Sequence, residues 1–131
     1  MNKIAVTITE IASKEKVSLV SFSVGHECLE MISLGVSEDL TVGSSVRVGV
    51  KASNIILSLT RVSDVSITNQ VEVEIVMVTM GSLLCSVAFT FERVTWECVI
   101  TQKSADMMGL SEGKRLFMLI KSSDLSIIEV L

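Results

Sequence analysis

Apolar and polar residues alternate along most of the chain with the period of two that sends successive side chains to opposite faces of a β-strand. In residues 3–12 (KIAVTITEIA), Ile4, Val6 and Ile8 fall on one face and Thr7 and Thr9 on the other. Ser13–Lys16 reads as a polar turn. Residues 17–24 form a second strand, with Val17 and Leu19 expected inward and, after an irregularity, Phe22 and Val24. Gly25–Glu27 turns again, 28–33 is a third strand, Val46, Val48 and Val50 mark a fourth, and 55–59 a fifth. Five short strands separated by turns predict a small barrel. The polar run 61–70 breaks the pattern, and the strand order then restarts: 71–79, a turn at Gly81-Ser82, 83–91, 94–101, 116–120 and 125–130. The expected architecture is all-β, in two units, 1–63 and 64–131.

The restart is an internal repeat. Residues 39–57 lie on 109–127 at a constant offset of 70, which matches Leu40 with Leu110, Gly43 with Gly113, Lys51 with Lys121 and Ser53 with Ser123. Upstream the offset falls to 68, placing Ser33 on Thr101. The first half is therefore expected to lack part of the turn-and-helix insert that follows Thr101.

That insert leads to the candidate chemistry. From Thr101 to Asp124 a strand end runs into a hydroxyl-bearing turn (Thr101, Ser104) and then a short helical segment anchored by Leu110. A second strand follows and delivers Lys121, Ser122 and Ser123 to a loop. Read along the chain, this path is expected to bring the hydroxyls and the lysine together without a carboxylate, as a site for a small anion. Thr101 and Ser104 also suit a helix N-cap, a compatible role because helix N-termini favour anions.

These motifs resemble the molybdate-binding Mop domain, also known as the transport-associated OB (TOBE) domain. They are Ile100-Thr101-x-x-Ser104, Met108-Gly109-Leu110, Gly113 and Ile120-Lys121-Ser122-Ser123, repeated in the first half as Val50-Lys51-Ala52-Ser53. The resemblance implies two tandem five-stranded OB-like barrels, each with at most a short helix, and oxyanion sites at contacts between units. It implies molybdate or tungstate as ligand, held by Thr101, Ser104, Lys121, Ser122, Ser123, Lys51, Ala52, Ser53, Thr68 and Asn69. A tetrahedral dianion needs hydroxyl and N–H donors with modest positive charge, which these residue types supply. The family opens each unit with Ser-x-Arg-Asn. Here the second unit reads Ser66-Ile67-Thr68-Asn69, with an uncharged threonine at the arginine position.

Composition narrows the function classes. The 131 residues are 49% hydrophobic with no proline, enough for a continuous core. A net charge of −4, four Phe and one Trp argue against a nucleic-acid groove of basic and stacking residues. Cys28, Cys85 and Cys98 form no CxxC pair and read as reduced, mostly buried thiols of a cytoplasmic protein. The spacing of His26 and Cys28 has no second ligand pair, so no metal is expected. The longest uncharged run, 75–91, contains Gly81-Ser82 and is 17 residues, where a membrane span needs about 20. No signal peptide is expected, since the first residues lack a basic stretch followed by an apolar one.

With a single histidine and no paired carboxylates near a nucleophile, the sequence predicts no enzyme and no cofactor. It predicts instead a cytoplasmic store or buffer of molybdate or tungstate. High hydropathy on two small units predicts a homo-oligomer. The alternative is an oxyanion-sensing module that regulates the ATP-binding subunit of a molybdate importer, with no ATPase activity of its own.

Overall fold

The computed structural model describes residues 1–35 and 40–131. The strands are β1 (Asn2–Lys14), β2 (Val17–Val24), β3 (Glu27–Ser33), β4 (Ser45–Val50), β5 (Ile56–Ser58), β6 (Asn69–Met80), β7 (Leu84–Phe91), β8 (Val94–Thr101), β9 (Arg115–Ile120) and β10 (Ser126–Val130). A 3-10 turn (Ala52–Asn54) lies between β4 and β5, and one helix, α1 (Gln102–Met108), between β8 and β9. Part of the first half's predicted shortened insert, residues 36–39, lies outside the described residues.

Alternation dictates the strands and their inward faces. β1 buries Asn2, Ile4, Val6 and Ile8, and β6 buries Asn69, Val71, Val73 and Ile75 in the same rhythm. Both long strands carry a bulge at the matched place, between Ile8 and Glu10 and between Ile75 and Met77. A bulge bends its strand and increases the twist. The first part of β1 thereby pairs with β4 and its second part with β2. β6 divides itself in the same way between β9 and β7.

One inward face differs from expectation. β2 alternates without a slip, so Ser18, Val20, Phe22 and Val24 point inward while Val17 and Leu19 are exposed. A slip would have broken the ladder to β1 and β3, whereas the regular strand keeps it through Lys14 and Ser33. Keeping the rhythm costs little, because the inward Ser18 is satisfied by the Ser13 hydroxyl at 2.7 Å.

The two five-stranded sheets do not follow the two halves of the sequence. Their orders are β10-β4-β1-β2-β3 and β5-β9-β6-β7-β8, so the halves exchange their last strands. β5, from the first half, pairs with β9, and β10, from the second, pairs with β4. The apolar faces of both sheets join one cluster, with Phe22, Phe89, Phe91 and Trp96 as its largest fully buried side chains. Trp96 packs edge-on to Phe91 at 5.1 Å, and its indole N–H reaches Lys3 O in the other sheet at 3.0 Å.

Candidate oxyanion site

The hydroxyl turn is built by local capping. The Thr101 side chain accepts from Ser104 N–H at 3.1 Å, which satisfies a backbone donor that a helix start leaves free. The Thr101 hydroxyl donates to Ser104 Oγ at 2.9 Å, and the Ser104 hydroxyl donates to no group among the described residues. At the other end Gly109 takes the left-handed conformation (φ 61°) and donates to Ala105 O and Asp106 O. Lys114 Nζ then meets Met108 O and Gly109 O at 3.1 and 3.3 Å, a cation on the carbonyl end of the helix. Ala105, buried, and Met108, partly buried, dock the helix on the core.

The turn that follows Lys121 packs against the other sheet. Lys121 leaves β9 just after Ile120, which pairs with Asn69, and the Asn69 side chain holds Glu30 on β3 of the other sheet. Ser122 O accepts from Ile32 N–H at 3.0 Å, and Ser123 and Ser33 line a groove of about 550 Å³. The Lys121-Ser122-Ser123 turn thus lies against β3, on the side of Ser33. The physical reason is the strand exchange, which turns β9's exit toward the first sheet.

Lys51 is placed by the mirror arrangement. It leaves β4 after Val50, which pairs with Asn2, and the Asn2 side chain holds Glu97 on β8. The Ala52–Asn54 turn packs along β8, the strand that ends at Thr101. The turn that follows Lys51 in the first half therefore packs on the strand of the second half that leads into Thr101. Asn54 N–H closes this turn on Lys51 O at 2.9 Å, as Asp124 N–H closes the other on Lys121 O at 2.9 Å.

The two places are not electrically alike. Thr101, Ser104, Lys51 and Lys121 are exposed, and neither lysine has an ion-pair partner among the described residues. The Lys121 turn itself contains a carboxylate, Asp124, and on β3 the Glu30 Oε1 accepts from the Thr68 hydroxyl at 3.4 Å, with Glu97 as its counterpart on β8. The residue corresponding to Asp124 in the Lys51 turn is the neutral Asn54. Ser33 spends its hydroxyl on Gly35 O at 2.7 Å. Thr68 is exposed on the Lys121 side, and the amide of Asn69 is fully engaged by the Glu30 backbone.

Sequence reasoning missed Asn2, the counterpart of Asn69 at an offset of 67; the signal was an Asn opening each long alternating strand. Of the thiols, Cys85 and Cys98 are buried and Cys28 is exposed. Burial, then the neighbouring Cys85 and Glu97, push the Cys98 thiol up to about 12. Burial, then Asp106, raises Cys85. Among the described residues no group of three His, Cys, Asp or Glu could hold a metal ion, and no helix is long and apolar enough to cross a membrane.

Comparison with known proteins follows the same lines. The TOBE domain family matches residues 65–127. No curated protein matches the sequence. Among solved structures, the molybdate-bound form of the cytoplasmic molybdate-binding protein ModG superposes with a TM-score of 0.89 at 19% identity, covering 99% of this chain and 96% of that one. Residues 65–127 thus match the TOBE domain family, within a whole-chain fold of two five-stranded curled sheets like that of ModG.

Proposed function

We propose that this protein binds molybdate, and tungstate by the same chemistry, as a cytoplasmic reserve of the oxyanion. The observation that supports the reading is the packing of the Ala52–Asn54 turn, which follows Lys51, along β8, the strand that ends at the Thr101 cap. A tetrahedral dianion there would accept from the Ser104 hydroxyl, the Lys51 ammonium and N–H groups of the 51–53 turn. Hydrogen bonds to a charged acceptor contribute roughly 1.5–3 kcal/mol each. The fold shared with molybdate-bound ModG supports the choice of ligand.

The Lys121-Ser122-Ser123 turn with Ser33 and Thr68 forms a second, weaker place, because Asp124 stands in that turn where the Lys51 turn has Asn54 and the Ser33 hydroxyl is already used, while the Asn69 amide is committed to the Glu30 backbone rather than to the anion. Binding requires no bond to break, so the protein acts as a carrier and not as an enzyme. Exposed Leu34, Leu83, Leu84 and Met107 favour assembly into a homo-oligomer. The whole-chain likeness to ModG favours a binding protein in its own right over a regulatory module of an importer's ATP-binding subunit.

A ligand that binds only the folded chain raises its melting temperature. Molybdate is expected to raise it progressively with concentration while sulfate at equal ionic strength does not. Identical melting with and without saturating molybdate would refute the reading.

A further inference from the structure

Two asparagines occupy matched places 67 residues apart, Asn2 opening β1 and Asn69 opening β6. Both are buried, and each commits its whole side-chain amide to one residue of the opposite half. Asn2 Nδ2 donates to Glu97 O, and its Oδ1 accepts from Glu97 N–H, both at 2.8 Å. Asn69 makes the same two bonds with Glu30, also at 2.8 Å. Glu30 and Glu97 are themselves 67 apart and lie on β3 and β8, the outer strands of their sheets. Each amide therefore takes the place that the backbone of one more strand would fill on an open sheet edge.

What this joins is specific. The backbone of Asn2 pairs with Val50, the residue before Lys51, while its side chain holds Glu97 on the strand that ends at Thr101. One residue thus fixes the root of the lysine turn with its main chain and the strand bearing the hydroxyl cap with its amide. We infer that Asn2 is a positioning residue for oxyanion binding, setting the register between the Lys51 turn and the Thr101–Ser104 cap. The inference rests on the proposed molybdate site. Asn69 performs the same joining for the Lys121 turn and β3, where the free hydroxyl cap is absent.

This symmetry supplies the control. Asn2→Ala and Asn69→Ala remove the same two bonds from equivalent edges, so a purely structural role lowers the melting temperature in both and affects binding alike. A positioning role splits them in calorimetric titration of the full chain with molybdate. Asn2→Ala is expected to raise Kd about tenfold, and Asn69→Ala to leave it within about twofold. Asn2→Asp keeps the acceptor for Glu97 N–H but no longer donates to Glu97 O, and is expected to fall between. Equal weakening by Asn2→Ala and Asn69→Ala, or unchanged affinity in a folded Asn2→Ala, overturns the inference while leaving the molybdate site standing. Should Asn2→Ala fail to fold, Asn2→Asp against Asn69→Asp makes the same comparison. A wild-type chain that takes up no molybdate overturns both the site and the inference.

Discussion

At the scale of single residues, the account turns on which lysine serves the hydroxyl cap. Lys51 and Lys121 are equivalent in the repeat, and the fold distinguishes them: the turn after Lys51 packs along the strand that ends at Thr101, and the turn after Lys121 bonds to the strand of Ser33. Lys51→Ala is therefore expected to weaken molybdate binding about tenfold or more, since a charge-assisted bond is worth roughly 1.5–3 kcal/mol. Lys121→Ala should change it by much less, and titration of the two variants checks the order; a larger loss in Lys121→Ala would reverse the assignment. The residue types of the candidate site, a Thr-x-x-Ser cap and a Lys-x-Ser turn, were legible from the chain alone. Their pairing was not, because alternation records which face a residue occupies and not which distant strand lies beside it. Burial separates the cysteines in a way that counting them does not. With Cys98 held up to about 12 and Cys85 raised by burial, a thiol reagent at pH 8 should modify Cys28 quickly in the native chain and all three cysteines only after denaturation. Three fast thiols in the native protein would contradict the packing.

At the scale of elements, the strands were the most readable feature, because β-branched residues alternate with polar ones over most of their length. β2 is the instructive exception. Val17 and Leu19 suggested a slip, yet the regular pairing of Val17–Ser21 with β1 and of all of Ser18–Val24 with β3 outweighs two apolar side chains left partly in water. The helix was legible from its Thr-x-x-Ser cap, whereas its end at Gly109 comes before Leu110, the anchor the sequence suggested. Gly109 sits at φ 61° with nothing within 4 Å of where a Cβ would stand, so substitution there meets backbone cost without collision. Gly109→Ala should lower stability by about 1 kcal/mol, the cost of a left-handed conformation for an L-residue. Denaturant unfolding measures this, and an unchanged midpoint would mean that the helix ends elsewhere.

At the scale of the molecule, the repeat was visible in the sequence, whereas the exchange of last strands between its halves was not. Both halves end in a short strand of similar pattern, so either could pair with its own sheet; the choice is made by how β4 and β9 exit toward the opposite sheet. Each sheet needs the other half for one strand and for the asparagine that closes its edge. A fragment of residues 1–63 is thus expected not to fold alone. A cooperative melt of that fragment, with the circular dichroism of an all-β domain, would show that the halves are independent. The exchange also puts each lysine turn against the other half, so oxyanion binding would draw the two halves together. Calorimetric titration of the intact chain with molybdate, in excess sulfate, tests this most directly. The account predicts saturable, sulfate-resistant binding of at least one molybdate per chain, weakened by Lys51→Ala; heats no different from a sulfate control would contradict it.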